Sequence, residues 1–293
     1  MEPIELPAIA PATEGRELYA VVGNPVAHSK SPFIHARFAG QTGEPVEYRH
    51  LLAPIGGFAD TVRAFIAARG RGLNVTVPFK LEAHGLADRL SARAEAAGAV
   101  NTLRVDSDGL YGDNTDGVGL VRDIESNLGV RLAGARILLL GAGGAARATA
   151  FALLDAGVDE LIIVNRTPER ADALADSIGD PKRVYTRYWD DLGAAGNFDL
   201  IVNATSAGLG AAQLALPFGL VARRTLCYDL SYGAAAFAFL AWARAAGAGP
   251  ALDGLGMLVE QAAESFAIWH GVRPDTDAVH AELRAELPLR ATD

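Results

Sequence analysis

The chain has 293 residues, of which 50% are hydrophobic, and its formal net charge is −9 at neutral pH. A chain of this length and composition can bury more than one hydrophobic core, which predicts two domains. The acidic balance, without a cluster of Lys and Arg, excludes nucleic acid as an expected partner because phosphate binding needs clustered cations. The single cysteine, Cys227, excludes an internal disulfide, and its strand-like surroundings indicate a small buried side chain rather than a reactive thiol.

The first 17 residues are expected to form a loosely ordered leading tail. Residues 1–15 carry Glu and Pro where a secretory signal would need positive charge and a continuous apolar segment. No apolar run in the sequence reaches the length of a membrane span. The sequence therefore predicts a cytoplasmic protein with no membrane partner.

The first predicted strand, residues 18–22, leads into a segment that contains Ser29, Lys30, Ser31 and Pro32. A serine followed by proline predicts the start of a helix, because the hydroxyl can cap it and proline suits its first position. The hydroxyls of Ser29 and Ser31, together with the free amides of the helix, can donate to a carboxylate. The alternative is a simple helix cap.

A weak strand is predicted at 46–51 and an amphipathic helix at 58–68. The segment from Gly72 to Lys80 then predicts a short buried strand that ends in a turn at Pro78, since proline would remove a ladder donor. Asn74, Thr76 and Lys80 are expected at the end of the sheet, where α/β folds keep their ligands. A solvated lysine is the alternative.

Further along, the pattern predicts a helix over 86–97, a strand over 99–103 and a hairpin return over 104–112. Asn101 lies on this strand. Short polar side chains, including Asp116, follow one another from Gly112 to Gly117. They indicate either turn chemistry or a set of ligands for a polyhydroxylated molecule.

An unbroken apolar run at 137–140 predicts a strand buried on both faces, and it stops at the glycine-rich segment Gly141, Ala142, Gly143, Gly144 and Ala145. An alanine-rich helix is predicted over 145–154. Strand, glycine turn and helix in this order predict a dinucleotide site, with Gly141 allowing the turn and Gly143 allowing close approach of a pyrophosphate.

A second strand at 160–164 ends in Asn165, Arg166 and Thr167. An NAD site would place Asp or Glu here to bind the ribose 2′-hydroxyl, and neither is present. Arg166 can instead pair with a 2′-phosphate, which favours NADP. The alternative is an ordinary surface arginine.

The histidines do not indicate a metal site. Of the six, His28 and His35 lie nearest to the polar motifs, but on opposite sides of a helix start and without Cys or carboxylate neighbours. No metal is therefore predicted.

Together, the motifs resemble the shikimate dehydrogenase family from about residue 19 to about residue 274. The segments that carry the resemblance are Ser29–Pro32, Asn74–Lys80, Ala99–Thr102, Gly112–Gly117, Gly141–Gly144, Asn165–Thr167 and Asp253–Leu258. The resemblance implies an α/β fold with two domains: a discontinuous mixed-sheet substrate domain, 1–116 plus 255–293, and a Rossmann-type parallel-sheet NADP domain, 117–254. It also implies an active site in the cleft between them.

The activity implied by the resemblance is NADPH-dependent, reversible reduction of 3-dehydroshikimate to shikimate. Lys80 would be the catalytic lysine, with Asp116 orienting its ammonium group. Ser29 and Ser31 would bind the substrate carboxylate. The other implied substrate-binding residues are Asn74, Thr76, Asn101, Tyr232 and Gln261, and the last helix, over 258–269, would carry Gln261.

Cofactor contacts are implied for residues 141–145 and 165–167 and for a second group comprising Thr205, Ser206, Leu230, Gly254 and Met257. Met257 has an alternative role as core filler. One rival hypothesis is a relative that oxidises quinate or uses NAD. Another is a non-catalytic sensor, which would be expected to lack the Lys80 and Asp116 pair. A monomer or homodimer is expected.

Overall fold

The computed structural model describes residues 7–205 and 215–287. Their contacts form two compact units: unit 1 comprises residues 7–116 and 261–279, and unit 2 comprises the remaining described residues. Each unit is built around its own six-stranded sheet. Within the described ranges, no helix is both long enough and apolar enough to cross a membrane.

The sheet of unit 1 is mixed, with the order β2-β1-β3-β5-β6-β4. Strand β1 is parallel to β2 and β3, β5 is antiparallel to β3 and β6, and β4 is parallel to β6. The strands are β1 Glu17–Gly23, β2 Val46–Leu52, β3 Gly70–Val75, β4 Arg89–Leu90, β5 Thr102–Asp106 and β6 Gly109–Asp113.

Helices cover this sheet through their apolar faces. In the second helix, Phe58, Val62 and Phe65 recur at helical spacing and are each about 1% exposed, which places them in the core of unit 1. The helices are α1 Ser31–Thr42, α2 Phe58–Ala67, α3 Lys80–Leu86 and α4 Ala92–Ala97, together with the C-terminal part of the long helix Leu255–His270 described below.

The sheet of unit 2 is parallel throughout, in the order β12-β11-β10-β7-β8-β9. In β7, Ile137 and Leu139 join one core cluster whereas Leu138 and Leu140 join another, so both faces of the strand are covered. This explains the unbroken apolar run. The strands are β7 Arg136–Leu140, β8 Glu160–Val164, β9 Val184–Thr186, β10 Leu200–Asn203, β11 Leu226–Asp229 and β12 Ala251–Leu252.

Among the described residues, three α-helices lie wholly in unit 2: α6 Gly144–Asp155, α7 Pro168–Ile178 and α8 Phe237–Ala245. Three more of the described helices cross a boundary between the units: α5 Asp116–Arg122, α9 Leu255–His270 and α10 Asp277–Glu286. Helix α5 continues into a π-type turn over Asp123–Asn127. The α/β fold with one mixed and one parallel sheet is as predicted.

Two predicted elements were wrong. The segment 86–97 is not one helix: α3 ends before Ala87, whose backbone is extended, and α4 starts anew after the cap Ser91, whose Oγ accepts from the amide of Ala94 at 3.1 Å. The strand expected at 99–103 starts only at Thr102. Residues 99–101 lie outside any strand and follow Gly98, the C-cap of α4, which has the left-handed φ of 59°.

The described part of the leading tail contacts strand β2. The Arg49 guanidinium donates to the carbonyls of Ala10, at 2.7 Å, and Pro11, at 3.0 Å. The amide of Thr13 donates to Glu47 Oε2 at 2.7 Å. Residues 7–16 therefore have defined contacts that composition did not suggest.

The second boundary between the units lies later than residue 255. Residues up to Glu260 belong to unit 2, and so does the segment from His280 onward. One reason is a charged contact: Arg284 pairs with the buried Asp253 at 2.5 Å. Helix α9 therefore begins in unit 2 and ends in unit 1.

Candidate functional site

In unit 1 the turns after β1 and β3 are joined through their backbones. The amide of Thr76 donates to Val22 at 2.9 Å, and the amide of Asn24 donates to Val77 at 3.0 Å. A Cβ at Gly23 would lie 2.4 Å from the Thr76 methyl group, so only glycine fits at this crossing. The first turn leads to Ser29 and Ser31, and the second leads to Lys80 at the start of α3.

Lys80 and Asp116 form an ion pair in this unit. Lys80 Nζ lies 2.5 Å from Asp116 Oδ2, and the two side chains are 18% and 8% exposed. The other carboxylate oxygen, Oδ1, accepts from Asn101 Nδ2 at 2.8 Å. Each oxygen of Asp116 therefore faces a donor, and this fixes the carboxylate beside the ammonium group.

The amide of Asn101 connects several residues of the predicted site. Its Oδ1 accepts from the amide of Thr115 at 2.8 Å and from Thr102 Oγ1 at 2.9 Å, so its Nδ2 must point to the other side. Nδ2 donates to Asp116 and also lies 3.3 Å from Gln261 Oε1. Asn101, Asp116 and Gln261, which are distant in sequence, thus meet at one place.

Asn74 lies behind this group and is 6% exposed. Its Oδ1 accepts from Tyr48 OH at 2.8 Å and lies 3.2 Å from His35 Nε2. Its Nδ2 faces three acceptors, of which Ser265 Oγ is the nearest at 2.9 Å. Both hydrogens of this amide are satisfied within the protein, so the structure supports a positioning role for Asn74 more than direct substrate contact.

Ser29 and Ser31 are adjacent, with their Oγ atoms 3.1 Å apart. Lys30 occupies the cap position of α1 and makes no side-chain cap bond, so neither serine is the cap residue, although Ser29 Oγ accepts from the amide of Ser31 at 3.3 Å. Ser31 also hydrogen-bonds Tyr48, which connects the serines to Asn74.

Burial controls the protonation of two groups in this network. It lowers the pKa of His35 to about 3, against a smaller opposing effect of the Asn74 hydrogen bond. The imidazole is therefore neutral at neutral pH, with Nε2 as the donor to Asn74. Burial also raises the pKa of Tyr48 well above its ordinary value, and the Ser31 hydrogen bond only partly opposes this. Both rings stay uncharged, and they stack with centroids 4.3 Å apart.

Sequence reasoning missed Tyr48, His35, Thr102 and Ser265 as parts of the site. For Ser265 a signal was present, because it follows Gln261 by four residues on one helix and so shares its face. Tyr48 lies in a strand with no distinctive pattern, and only the tertiary structure brings it to Asn74.

In unit 2 the loops after neighbouring strands meet at one edge of the parallel sheet. The amide of Gly141 donates to Val164 at 2.7 Å, and that of Ala204 donates to Leu140 at 2.8 Å. Gly141 has a φ of 112°, and a Cβ there would lie 2.9 Å from the carbonyl oxygen of Ala204. A Cβ at Gly143 would meet nothing within 4 Å, so that side of the turn is open.

This glycine turn leads directly into α6, which begins at Gly144, and Ala146 is fully buried at the helix–sheet contact. The open backbone at Gly143, the close packing at Gly141 and the helix N-terminus fit a dinucleotide pyrophosphate. Ala142 and Ala145 lie within the same turn and first helical residues.

At the end of β8, Asn165 Nδ2 donates to the carbonyl of Thr167 at 2.9 Å, which closes a short turn. Arg166 is exposed at the centre of this turn. Among the described residues no carboxylate pairs with Arg166, so its guanidinium can reach an added phosphate.

The ends of β10 and β11 are joined by a buried polar pair. Asn203 Nδ2 donates to Asp229 Oδ2 at 2.7 Å, and Asn203 Oδ1 accepts from Thr205 Oγ1 at 2.7 Å. Burial raises the pKa of Asp229 to about 6, although hydrogen bonds from Ser231 and Asn203 partly oppose this. Predicted residue Ser206 lies outside the described residues.

The remaining predicted residues of unit 2 lie close to these strand ends. The amide of Leu230 donates to Asn203 at 2.9 Å, and a Cβ at Gly254 would lie 2.4 Å from the carbonyl oxygen of Leu230. Met257 is 6% exposed and belongs to the hydrophobic core, and its amide donates to Tyr228 OH at 3.1 Å. Tyr232 is half-buried just before a short 3₁₀ helix.

In the part of the chain that the structure describes, no group of three or more His, Cys, Asp or Glu side chains is arranged to hold a metal ion.

The chain matches three family models that together span both units. They are the shikimate dehydrogenase substrate binding domain over residues 21–103, shikimate / quinate 5-dehydrogenase over 123–211 and the shikimate 5′-dehydrogenase C-terminal domain over 254–284. A curated protein from Xanthomonas euvesicatoria pv. vesicatoria, named shikimate dehydrogenase (NADP(+)), is 58% identical over 270 residues, which cover 91% of this chain and 95% of that protein.

Solved structures agree with this match. An Ael1 enzyme from Pseudomonas putida is 44% identical with a TM-score of 0.85, and the match covers 91% of this chain and 98% of that one. Shikimate 5-dehydrogenase from Thermus thermophilus, solved with NADP(H) and shikimate, is 33% identical with a TM-score of 0.79, covering 92% of this chain and 100% of that one. The resemblance carried by the sequence motifs is confirmed: this chain belongs to the shikimate dehydrogenase family.

Proposed function

We propose that the protein catalyses the reversible, NADPH-dependent reduction of 3-dehydroshikimate to shikimate. The observation that carries this proposal is the ion pair of Lys80 and Asp116, 2.5 Å apart and held by Asn101 among buried polar groups. Family membership supplies the substrate class and the cofactor. Because the pair is present, the hypothesis of a non-catalytic sensor has no support in unit 1.

Lys80 acts as the proton donor in the direction of ketone reduction. Negative charge develops on the substrate oxygen in the transition state, and an ammonium group within hydrogen-bond reach stabilises that charge and then transfers a proton. Asp116 is a positioning and charge-balancing group, since its two oxygens face Lys80 and Asn101. In the reverse direction the neutral amine of Lys80 accepts the hydroxyl proton.

The two serines bind the substrate carboxylate with their hydroxyls. Ser31 is 5% exposed and is oriented by Tyr48, which limits the conformations of its hydroxyl before substrate arrives. Asn101 and Gln261 bind ring hydroxyls, because their amides both donate and accept. Thr76 and Tyr232 complete the proposed set of hydroxyl ligands. A site of this type discriminates strongly against analogues that lack a hydroxyl.

The residues at the sheet edge of unit 2 fit NADP(H). Residues 141–145 bind the pyrophosphate through backbone amides, and Arg166 binds the 2′-phosphate beside Asn165 and Thr167. The proposed contacts nearer the nicotinamide are Thr205, Ser206, Leu230, Gly254 and Met257. When bound, the reduced nicotinamide supplies the hydride.

The test is a nicotinamide absorbance assay of the purified protein with shikimate or quinate, each offered with NADP or NAD. Turnover with shikimate and NADP, at a specificity constant well above the other three combinations, supports the proposal. Comparable turnover with quinate or NAD supports the rival hypothesis, a relative that oxidises quinate or uses NAD. No turnover with any combination refutes the proposal.

We also propose an oligomeric state and a cellular compartment for the protein. A monomer or homodimer is proposed, and light scattering after gel filtration tests it. The cytoplasm is the proposed compartment, supported by the biosynthetic role and by the single cysteine, Cys227, which fits a reducing compartment.

A further inference from the structure

Arg93 joins strand β6 to helix α9 in unit 1, and predicted site residues lie just after β6, at Asp116, and on α9, at Gln261. It lies in the first turn of α4 and is 35% exposed. Its guanidinium faces a carboxylate on each of two sides, Asp113 and Glu264, which lie on strand β6 and helix α9.

The contact with Asp113 is bidentate. Arg93 Nε lies 2.7 Å from Asp113 Oδ1, and an NH2 group lies 3.0 Å from Oδ2. Asp113 is only 5% exposed and precedes Asn114, whose amide donates to its Oδ1 at 2.7 Å. Asn114 Oδ1 in turn accepts from the amide of Asp116 at 3.1 Å. A continuous set of hydrogen bonds therefore leads from the guanidinium to the backbone of Asp116.

The contact with Glu264 is made by another edge of the same guanidinium. Both terminal nitrogens of Arg93 lie 3.1 Å from Glu264 Oε1. Glu264 follows Gln261 by three residues on α9, so the two side chains project from neighbouring positions of the helix. Arg273 pairs with the other oxygen of Glu264 at 2.8 Å and fixes that carboxylate from the opposite side.

Charge and geometry both favour this arrangement. Burial opposes the charge of Arg93, but the hydrogen bonds and charges of Asp113 and Glu264 outweigh it and raise the pKa of the guanidinium. The planar fork of arginine binds one carboxylate in a bidentate manner and still has a nitrogen for the second, whereas the ammonium of lysine lacks this fixed bidentate geometry. The contact with Glu264 favours a positioning role, because a purely structural pair of Arg93 with Asp113 would not need a second carboxylate.

We propose that Arg93 is a positioning residue that couples the loop of Asp116 to the helix of Gln261, so that the proton-transfer pair and the hydroxyl ligand keep one spacing. The proposal rests on the proposed function. It assigns no substrate contact to Arg93. Loss of the contact with Asp113 lowers kcat through Asp116. Loss of the contact with Glu264 raises the KM for shikimate through Gln261.

The experiment compares Glu264→Gln, Arg93→Lys and the double variant with the wild type in shikimate and NADP titrations. Glu264→Gln is nearly isosteric, and we expect it to raise the KM for shikimate about threefold to tenfold with kcat within twofold. Arg93→Lys is expected to raise that KM and to lower kcat by about tenfold. The KM for NADP stays unchanged in both single variants. In the double variant, the fold-change of each constant is smaller than the product of the two single fold-changes.

The matched control is Arg89→Lys. Arg89 also bridges two carboxylates, Asp106 at 2.6 Å and Asp108 at 2.9 Å, but on the β5–β6 hairpin away from the predicted ligands. Its variant is expected to stay within twofold of the wild type in every constant. Thermal unfolding of all variants identifies any that fail to fold.

A shikimate KM of Glu264→Gln equal to that of the wild type overturns the proposal, whether or not Arg93→Lys folds. Parallel increases of the shikimate and NADP constants also overturn it, since they indicate general loosening. A wild-type protein without shikimate turnover refutes the proposed function instead, and is recognised before any variant is measured.

Discussion

Replacing Asp116 with asparagine tests the proposed proton-transfer pair most directly. The carboxylate accepts from Asn101 through Oδ1, at 2.8 Å, and from Lys80 through Oδ2, at 2.5 Å. An amide has one acceptor and one donor end, so in either orientation its NH2 group faces another donor. Asp116→Asn keeps the size of the side chain but loses the negative charge and one of these two hydrogen bonds.

The size of the effect follows from these contacts. A hydrogen bond to a charged group contributes about 1.5 to 3 kcal/mol, and each 1.4 kcal/mol changes a rate about tenfold. Because the negative charge that orients Lys80 is also lost, we expect kcat to fall by on the order of 10². The KM for NADP should change less than twofold, because the cofactor ligands are other residues.

The assay is steady-state oxidation of shikimate at saturating NADP, with the thermal unfolding of each protein measured in parallel. Asp106→Asn is the control, since Asp106 pairs with Arg89 at 2.6 Å and Arg104 at 2.7 Å in the same unit but has no predicted site role. If Asp116→Asn retains kcat within threefold of the wild type, or if Asp106→Asn loses as much, the assigned role of Asp116 is wrong.

Three further predictions concern the cofactor, the buried network and pH. Arg166→Ala should raise the KM for NADP about tenfold or more and change that for NAD little, because only NADP has a 2′-phosphate. Tyr48→Phe removes the hydroxyl that donates to Asn74 at 2.8 Å, so it should raise the KM for shikimate and destabilise the protein by about 1 kcal/mol. The pKa of His35 is lowered from 6.5 to about 3 in the folded protein, so as pH falls below 6.5 the unfolded chain takes up its proton first and stability is lost. The wild type should lose up to about 1.4 kcal/mol per pH unit through this group between pH 6.5 and pH 3, and His35→Gln should lack this loss, while His270 is present in both proteins.

Controls for these variants come from the same chain. Arg131→Ala removes an exposed arginine and should leave both cofactor constants unchanged. Tyr185→Phe removes a hydroxyl that donates to the exposed carbonyl of Lys182 at 2.8 Å and should not affect shikimate. Equal weakening of NADP and NAD by Arg166→Ala, or an unaltered shikimate KM in Tyr48→Phe, would contradict the roles proposed here. For His35, the unfolding free energy is obtained from urea unfolding curves at several pH values. An equal dependence of this free energy on pH in the wild type and in His35→Gln would contradict the prediction.

Much of the fold was predictable because it depends on short-range patterns. The apolar run at 137–140 and the glycines after it were sufficient to predict a strand, a turn and a helix, since a parallel strand covered on both faces requires continuous apolar residues. NADP could be predicted as the cofactor because no acid stands at the end of the next strand. The boundaries of α3 and α4 were not predicted, because an alanine-rich segment favours helix throughout and the cap at Ser91 competes only weakly with that signal.

The sequence by itself determined which residue types were available for the chemistry: a lysine, an aspartate, two serines and the asparagines at or next to strand ends. Only the tertiary structure decided how they are held. Strand β2 brings Tyr48 to Asn74, and helix α9 brings Gln261 to Asn101 across 160 residues of sequence. Arg93 meets Glu264 only because α4 and α9 belong to one folded unit. Hydrogen bonds act over about 3 Å, so contacts between distant segments follow from packing and leave no periodic signal in the sequence.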